Sequence, residues 1–148
     1  MNRLIQVVIT TILISLSFNI FSEVRKGYYK SGALQFETNY KNDKKEGLIK
    51  HYYESSALNM EINVKNGNRE GLVKWYYESG ALRRESNYKN DKQDGLGKGY
   101  YESGTIESEW NYKNGKQEGL DKRYSESGLL INRRNYKNDK LVGEWTRK

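Results

Sequence analysis

The chain has no cysteine and no proline, and a single histidine, His51, among 148 residues. Without cysteine there is no disulfide framework, thiolate zinc site, cysteine nucleophile or acylated lipoprotein cysteine. One histidine leaves no pair for a metal or for a two-histidine acid–base site. Most enzyme classes are weakened at this step, and neither a cofactor nor a metal is expected. Apolar residues are scarce as well, and mean hydropathy is -1.00. The length allows one ordinary domain or a short repeat array, and no large multidomain enzyme.

The one long apolar run lies at the N-terminus. After Met1–Asn2–Arg3, the stretch from Leu4 to Phe21 carries no charge. A basic start, an apolar centre and Ser22 before Glu23 describe a secretory signal peptide over residues 1–22. An uncleaved membrane anchor is the alternative, although polar residues such as Gln6, Thr10, Ser15 and Asn19 dilute the run and it is short for a span. A buried helix of the fold is the third reading. Export to the periplasm, the envelope or the medium is the expected localisation.

Removing residues 1–22 takes away only Arg3 among the charged residues, so the remainder stays basic, at about +6. Its Leu, Ile, Val and Phe number 19 of 126 residues, a level at which disorder is the default. Yet all 13 tyrosines and all 3 tryptophans lie there, and disordered chains are poor in aromatics. Composition contradicts itself, and the order of the residues decides.

Gly47, Gly71, Gly95, Gly119 and Gly143 follow one another at intervals of 24 residues without a gap. The same step links Tyr29, Tyr53, Tyr77 and Tyr101, and Leu34, Leu58, Leu82, Ile106 and Leu130. From its glycine the unit reads G-L-x-K-x-Y-Y-E-S-G-A-L-x-x-E-x-N-Y-K-N-[DG]-K-x-E. Five copies fill residues 23–142, and residues 143–148 begin a truncated sixth. Such a period signals a stacked repeat architecture.

Each unit holds two turn signals. ESG offers glycine for a positive φ, and Asn-Asp or Asn-Gly is a strong two-residue hairpin signal. Between them lie runs of about 6–8 residues rich in Tyr, Leu, Trp and Val, with no helical period. The expectation is an all-β fold: an elongated antiparallel meander of stacked hairpins with about ten strands.

Charge sets the register. A four-residue loop at ESG places Lys26 opposite Glu37, Lys50 opposite Glu61, Lys74 opposite Glu85 and Lys98 opposite Glu109, and opposed charges favour this pairing over a one-residue slip. Lys122 then faces Arg133, which breaks the rule. One face collects Tyr53, Leu58, Met60, Ile62, Val73, Trp75, Tyr77, Leu82 and Tyr88 and reads as the core side. The other collects the Lys–Glu pairs, Tyr28, Tyr52, Tyr76, Tyr100 and Tyr124, and the asparagines Asn39, Asn63, Asn87, Asn111 and Asn135. In the fifth unit Asp121, Arg123, Asn132 and Arg134 take inward positions, as expected where stacking ends. Trp145, at the repeat position of Ile49 and Val73, is expected to cap that end.

The pattern G-x-x-x-x-Y-Y-E-S-G-x-L followed by N-Y-K-N-G-K resembles the MORN-type repeat, in the bacterial variant found in YwqK-like antitoxin components. YYESGAL (76–82), YYESGTI (100–106) and NYKNGK (111–116) carry the resemblance. It implies a twisted sheet that serves as a binding or scaffolding surface, without catalytic residues. An antitoxin of this kind would bind a toxin partner directly.

The remaining candidates have plainer readings. His51 falls on the core face, where the next unit has Trp75, and a packed imidazole is expected rather than a catalytic one. Glu37, Glu61, Glu85 and Glu109 stand about 10 Å apart, two strand spacings, each with a lysine opposite, so structural pairing replaces acid–base work. Asp43, Asp91 and Asp139 alternate with Gly67 and Gly115 at one turn position, which a turn requirement explains without calcium. Interleaved Lys and Tyr fit nucleic acid in principle, but export and the glutamate pairing argue against it. Attraction to anionic lipid or an acidic cell-wall polymer suits an exported basic protein. The charge reads as spread through the repeats, so that effect is expected to be modest.

The sequence thus points to a non-enzymatic repeat protein of the envelope or exterior that presents one surface to a protein partner, with a toxin-neutralising role and polyanion or lipid binding as alternatives. Trp75, Tyr77, Tyr101, Trp110 and Tyr53 are the expected interaction anchors, aromatics within a polar surround. Pairing of edge strands between copies remains open.

Overall fold

The computed structural model describes residues 8–11 and 22–147. The N-terminal segment expected to direct export lies mostly outside these residues. Its one described piece is strand β1 (Val8–Thr11), which pairs with β2. Among the described residues no helix is long and apolar enough to cross a membrane.

Among the described residues, fourteen strands form one antiparallel sheet. After β1 come β2 (Ser22–Tyr28), β3 (Leu34–Lys41), β4 (Lys44–Lys45), β5 (Gly47–Tyr52), β6 (Leu58–Lys65), β7 (Asn68–Tyr76) and β8 (Leu82–Lys89). The second half holds β9 (Lys92–Tyr100), β10 (Ile106–Lys113), β11 (Lys116–Gln117), β12 (Gly119–Tyr124), β13 (Leu130–Lys137) and β14 (Lys140–Thr146). Neighbours in the sheet are neighbours in the chain, so the units stack in order along one axis. Each unit gives two strands, as its two turn signals require; β4 and β11 are short leading pieces of the β5 and β12 strands.

Both turns take the predicted chemistry. Asn66 and Gly67 have φ of 52° and 88°, and Asn90 and Asp91 have φ of 48° and 63°, the left-handed pair of a type I′ hairpin. At the ESG corner the Tyr77 amide donates to the Ala81 carbonyl at 2.8 Å, and the Gly80 amide donates to the Tyr77 carbonyl at 2.9 Å. A one-residue bulge near the corner sets Leu58 opposite Tyr52 rather than Tyr53.

The charge-derived register holds throughout: Lys26↔Glu37, Lys50↔Glu61, Lys74↔Glu85, Lys98↔Glu109 and Lys122↔Arg133. The pairing also continues across the other turn, with Glu37↔Lys50, Glu61↔Lys74, Glu85↔Lys98 and Glu109↔Lys122. Lysine and glutamate therefore alternate in one unbroken row across nine strands. The periodic glycine makes this work. Gly47, Gly71, Gly95 and Gly119 have φ between 83° and 107° inside a bulge that resets the phase after each Asn turn.

Trp145 departs from expectation. Gly143 is not in the left-handed region, and the last hairpin carries a smaller bulge. The register slips by one residue, which moves every side chain to the opposite face. Trp145 lands opposite Arg133, on the charged face, with the Arg133 guanidinium 5.8 Å from its ring centroid. It does not cap the core side.

Candidate binding surface

The two faces are held by different chemistry. On the charged face, the first tyrosine of each pair reaches back one unit to the glutamate of the ladder. Tyr52 Oη donates to Glu37, Tyr76 to Glu61, Tyr100 to Glu85 and Tyr124 to Glu109, at 2.8–2.9 Å. Burial, then the bond to a carboxylate, pushes the hydroxyls of Tyr52, Tyr76 and Tyr100 up to about 12. At the start of the ladder, Lys26 Nζ lies 2.7 Å from Glu37 and holds that carboxyl below the usual range. A second row, Leu48, Leu72, Leu96 and Leu120, faces the asparagine series. Asn39, Asn63 and Asn87 donate to the carbonyls of Leu48, Leu72 and Leu96.

The other face contains the small core. Ile49, Val64 and Val73 are buried, with Thr38 and Ser86 among them. Two rows cross it. One runs Phe36, His51, Met60, Trp75, Arg84, Gly99, Ser108 and Arg123. The other runs Ile49, Ile62, Val73, Ser86, Gly97 and Trp110. His51 packs 6.0 Å from Phe36, ring to ring, and burial lowers its pKa, with Lys45 adding repulsion. No nucleophile adjoins it in either row. Among the described residues no three His, Asp or Glu side chains gather as a metal site.

Where these rows lose bulk, a distinct cluster appears. The Trp110 indole covers Gly97, whose missing Cβ would collide with the ring at Nε1. Arg84 stands over Trp110 at 4.5 Å and over Trp75 at 5.4 Å. Its guanidinium is thus fixed between two indoles while the residue stays exposed. Ser108 and Glu107 flank the cluster across Gly99. Beneath it, Ser86 Oγ is buried with no hydrogen-bond partner.

The five expected anchors divide between two roles. Trp75 and Trp110 share this cluster. Tyr53, Tyr77 and Tyr101 do not join it: their hydroxyls donate to the carbonyls of Tyr76, Tyr100 and Tyr124 at 2.7–2.8 Å and tie each unit to the next. Sequence reasoning missed Arg84, for which the repeat itself gave a signal, since Arg84 replaces Met60 among half-buried neighbours.

It also missed the joints at the hairpin edge. The acid that closes each unit, Glu46, Glu70, Asp94 or Glu118, accepts the backbone amide of the next asparagine turn at 2.7–2.9 Å. The following turn amide donates to a carbonyl of the preceding unit, as Gly67 does to Lys45 at 2.9 Å. Every turn amide so placed is satisfied by the neighbouring repeat.

The MORN repeat variant matches four stretches, residues 24–42, 45–66, 69–90 and 93–114, together more than half of the chain. The fifth unit, whose core positions turn polar, falls outside them. No curated protein matches the chain.

Proposed function

The chain belongs to the MORN repeat variant family, and on that premise we propose that it is a non-catalytic scaffold of the cell envelope or exterior that holds a protein partner on its tryptophan face. Repeats of this family commonly serve as protein- or lipid-binding modules and are generally non-catalytic. The observation that carries the reading is Arg84, exposed yet held between Trp75 and Trp110. Arginine and tryptophan dominate interface hot spots, and a guanidinium already ordered by two indoles loses little entropy on binding. Tyr53, Tyr77 and Tyr101 serve the fold by tying each unit to the next. Neutralisation of a toxin is the second form of the same act, favoured by the YYESG and NYKNGK motifs.

Fractionation combined with affinity capture by the full chain tests the reading. Recovery outside the cytoplasm, with a partner retained by the wild type and lost by Arg84→Glu, is the expected result. Equal retention by Arg84→Glu overturns the tryptophan face as the site. Loss of all activity in His51→Ala would overturn the scaffold reading itself.

A further inference from the structure

The linear sequence distributes lysine through every repeat, but the fold sorts it. Lys41, Lys44, Lys45, Lys65, Lys89, Lys92, Lys113, Lys116, Lys137 and Lys140 all flank the Asn-Asp or Asn-Gly turns, and all ten are exposed. Because the units stack in register, these turns line one long edge of the sheet. In four of the five hairpins two lysines stand directly opposite each other: Lys41↔Lys44, Lys89↔Lys92, Lys113↔Lys116 and Lys137↔Lys140. Like charges in that position are destabilising, so folding does not explain the arrangement. The opposite edge, at the ESG corners, carries exposed Glu54, Glu78, Glu102 and Glu126.

Six carboxylates on the lysine edge have other work. Glu46, Glu70, Asp94 and Glu118 accept turn amides. Asp91 binds Arg69, and Asp139 accepts the Gln117 amide at 2.7 Å. No lysine of the edge is in an ion pair with a described residue; the lysines that are, Lys26 and Lys122, belong to the ladder.

We propose that this edge binds a linear polyanion, a chain along which phosphate or carboxylate groups recur. The site is distinct from the tryptophan face and does not depend on the protein-binding reading. Lysine pairs recur about every 10 Å, two strand spacings, along about 50 Å of edge. An extended polyanion laid along it meets a lysine pair at four of the five turns and the single Lys65 at the other, and releases counterions at each. The geometry disfavours a membrane, because the edge is narrow and its turn tips carry Asn, Asp, Gly and Lys with no apolar group to insert. It offers single-stranded nucleic acid few open rings: of the four tyrosines nearest the edge, Tyr40 lies under Arg25 at 4.1 Å and Tyr88 under Arg69 at 4.2 Å, which leaves only Tyr112 and Tyr136. Base stacking needs open rings.

The test titrates the full chain against labelled long-chain inorganic polyphosphate at several salt concentrations, read by fluorescence anisotropy. Binding should weaken steeply with salt. Replacing Lys89, Lys92, Lys113 and Lys116 together by Gln should weaken it at least about tenfold and lower the log–log salt slope by about 3. The same four changed to Arg should retain binding, and Glu78→Gln with Glu102→Gln, on the opposite edge, should leave it unchanged. Wild-type affinity in the Gln variant overturns the proposal. So does tripolyphosphate binding as tightly as the long chain, which would mean a point site. Tighter binding to phosphatidylserine vesicles, or to oligothymidylate, than to polyphosphate overturns it in favour of a membrane or a nucleic acid. The chain-length and salt comparisons use the wild type alone and decide the matter even where a variant fails to fold.

Discussion

One repeat position, followed along the chain, reads Ile49, Val73, Gly97 and Asp121, and it divides the molecule. In the second and third units it is buried core, with Val73 only 1% exposed. In the fourth it is a glycine beneath an indole, and in the fifth a half-exposed aspartate that accepts a hydrogen bond from Gln117 at 2.9 Å. The final strand, β14, is exposed along its whole length. The turn joints do not change in parallel: Glu70 and Glu118 hold the next turn at the same 2.9 Å. Regular backbone therefore does not require a regular core here. Turn chemistry and inter-unit hydrogen bonds carry the register, and the face above them is free to vary from packing surface to polar surface.

The strongest way to break this contrast is to exchange the chemistry of the two regions at equivalent positions. Val73→Asp places a carboxylate where Ile62 and Ser86 are the cross-strand neighbours and no cation stands. A loss of about 4 kcal/mol is expected from the buried unpaired charge and the lost packing. Asp121→Val, in the fifth unit, should alter stability by less than about 1 kcal/mol. Urea unfolding of both variants checks the pair, and similar losses would show that the fifth unit packs as tightly as the third.

A second exchange concerns glycine. At Gly97 any Cβ collides with the Trp110 indole, whereas at Gly143 the nearest atom is Asn135 Cβ at 4.0 Å. Gly97→Ala should cost about 2 kcal/mol by overpacking and shift tryptophan emission as Trp110 is displaced from Arg84. Gly143→Ala should be neutral within about 0.5 kcal/mol.

Alkaline pH tests the Tyr–Glu bonds that run through all of these units. Tyr52, Tyr76 and Tyr100 have folded-state values of about 12, above the unfolded value of about 10. A raised acid of this kind contributes stability that is fully present below about pH 10 and is lost as pH rises through about 12. Tyr124, in the fifth unit, is shifted in the same direction. Tyrosinate absorbance followed against far-ultraviolet circular dichroism should show ladder tyrosines ionising late, together with loss of strand signal. Ionisation complete near pH 10 with the fold intact would show that the Tyr–Glu bonds are not formed.

How much of this was legible in the sequence follows from what residue counting can reach. The ESG corner is short, so its Lys–Glu partners could be counted from the loop, and even the aberrant Lys122–Arg133 pair was found that way. Pairing across the Asn turn could not be counted. A bare two-residue turn would set Glu61 opposite Leu72, but the Glu70–Gly71 bulge resets it to Lys74. The unbroken charge row was therefore hidden, and so was the slip of Trp145, which follows from a bulge that shrinks without any change in the glycine spacing. Arg84 was hidden for a different reason: a cation on a core-facing position reads as an exception until Trp110 is seen lying across Gly97. The lysine edge needed the stacking itself, because residues 24 apart become neighbours only in three dimensions.

The smallest predicted effect sharpens the comparison at the corners. Four of the five units place glycine at the left-handed position of the ESG loop, with Gly32, Gly80, Gly104 and Gly128 at φ between 81° and 89°. The second unit has Ser56 there, at φ 71°. A side chain in this conformation costs about 1–2 kcal/mol, and glycine gives back about half of that through the freedom of the unfolded chain. Ser56→Gly should therefore stabilise the protein by about 0.5 kcal/mol, and Gly80→Ser should destabilise it by a similar amount. Both should move the urea midpoint without changing its slope, since neither alters the surface exposed on unfolding. A Ser56→Gly variant less stable than the wild type would mean that the serine hydroxyl holds the corner, and that the second unit, although packed like the third, closes its hairpin by a different contact.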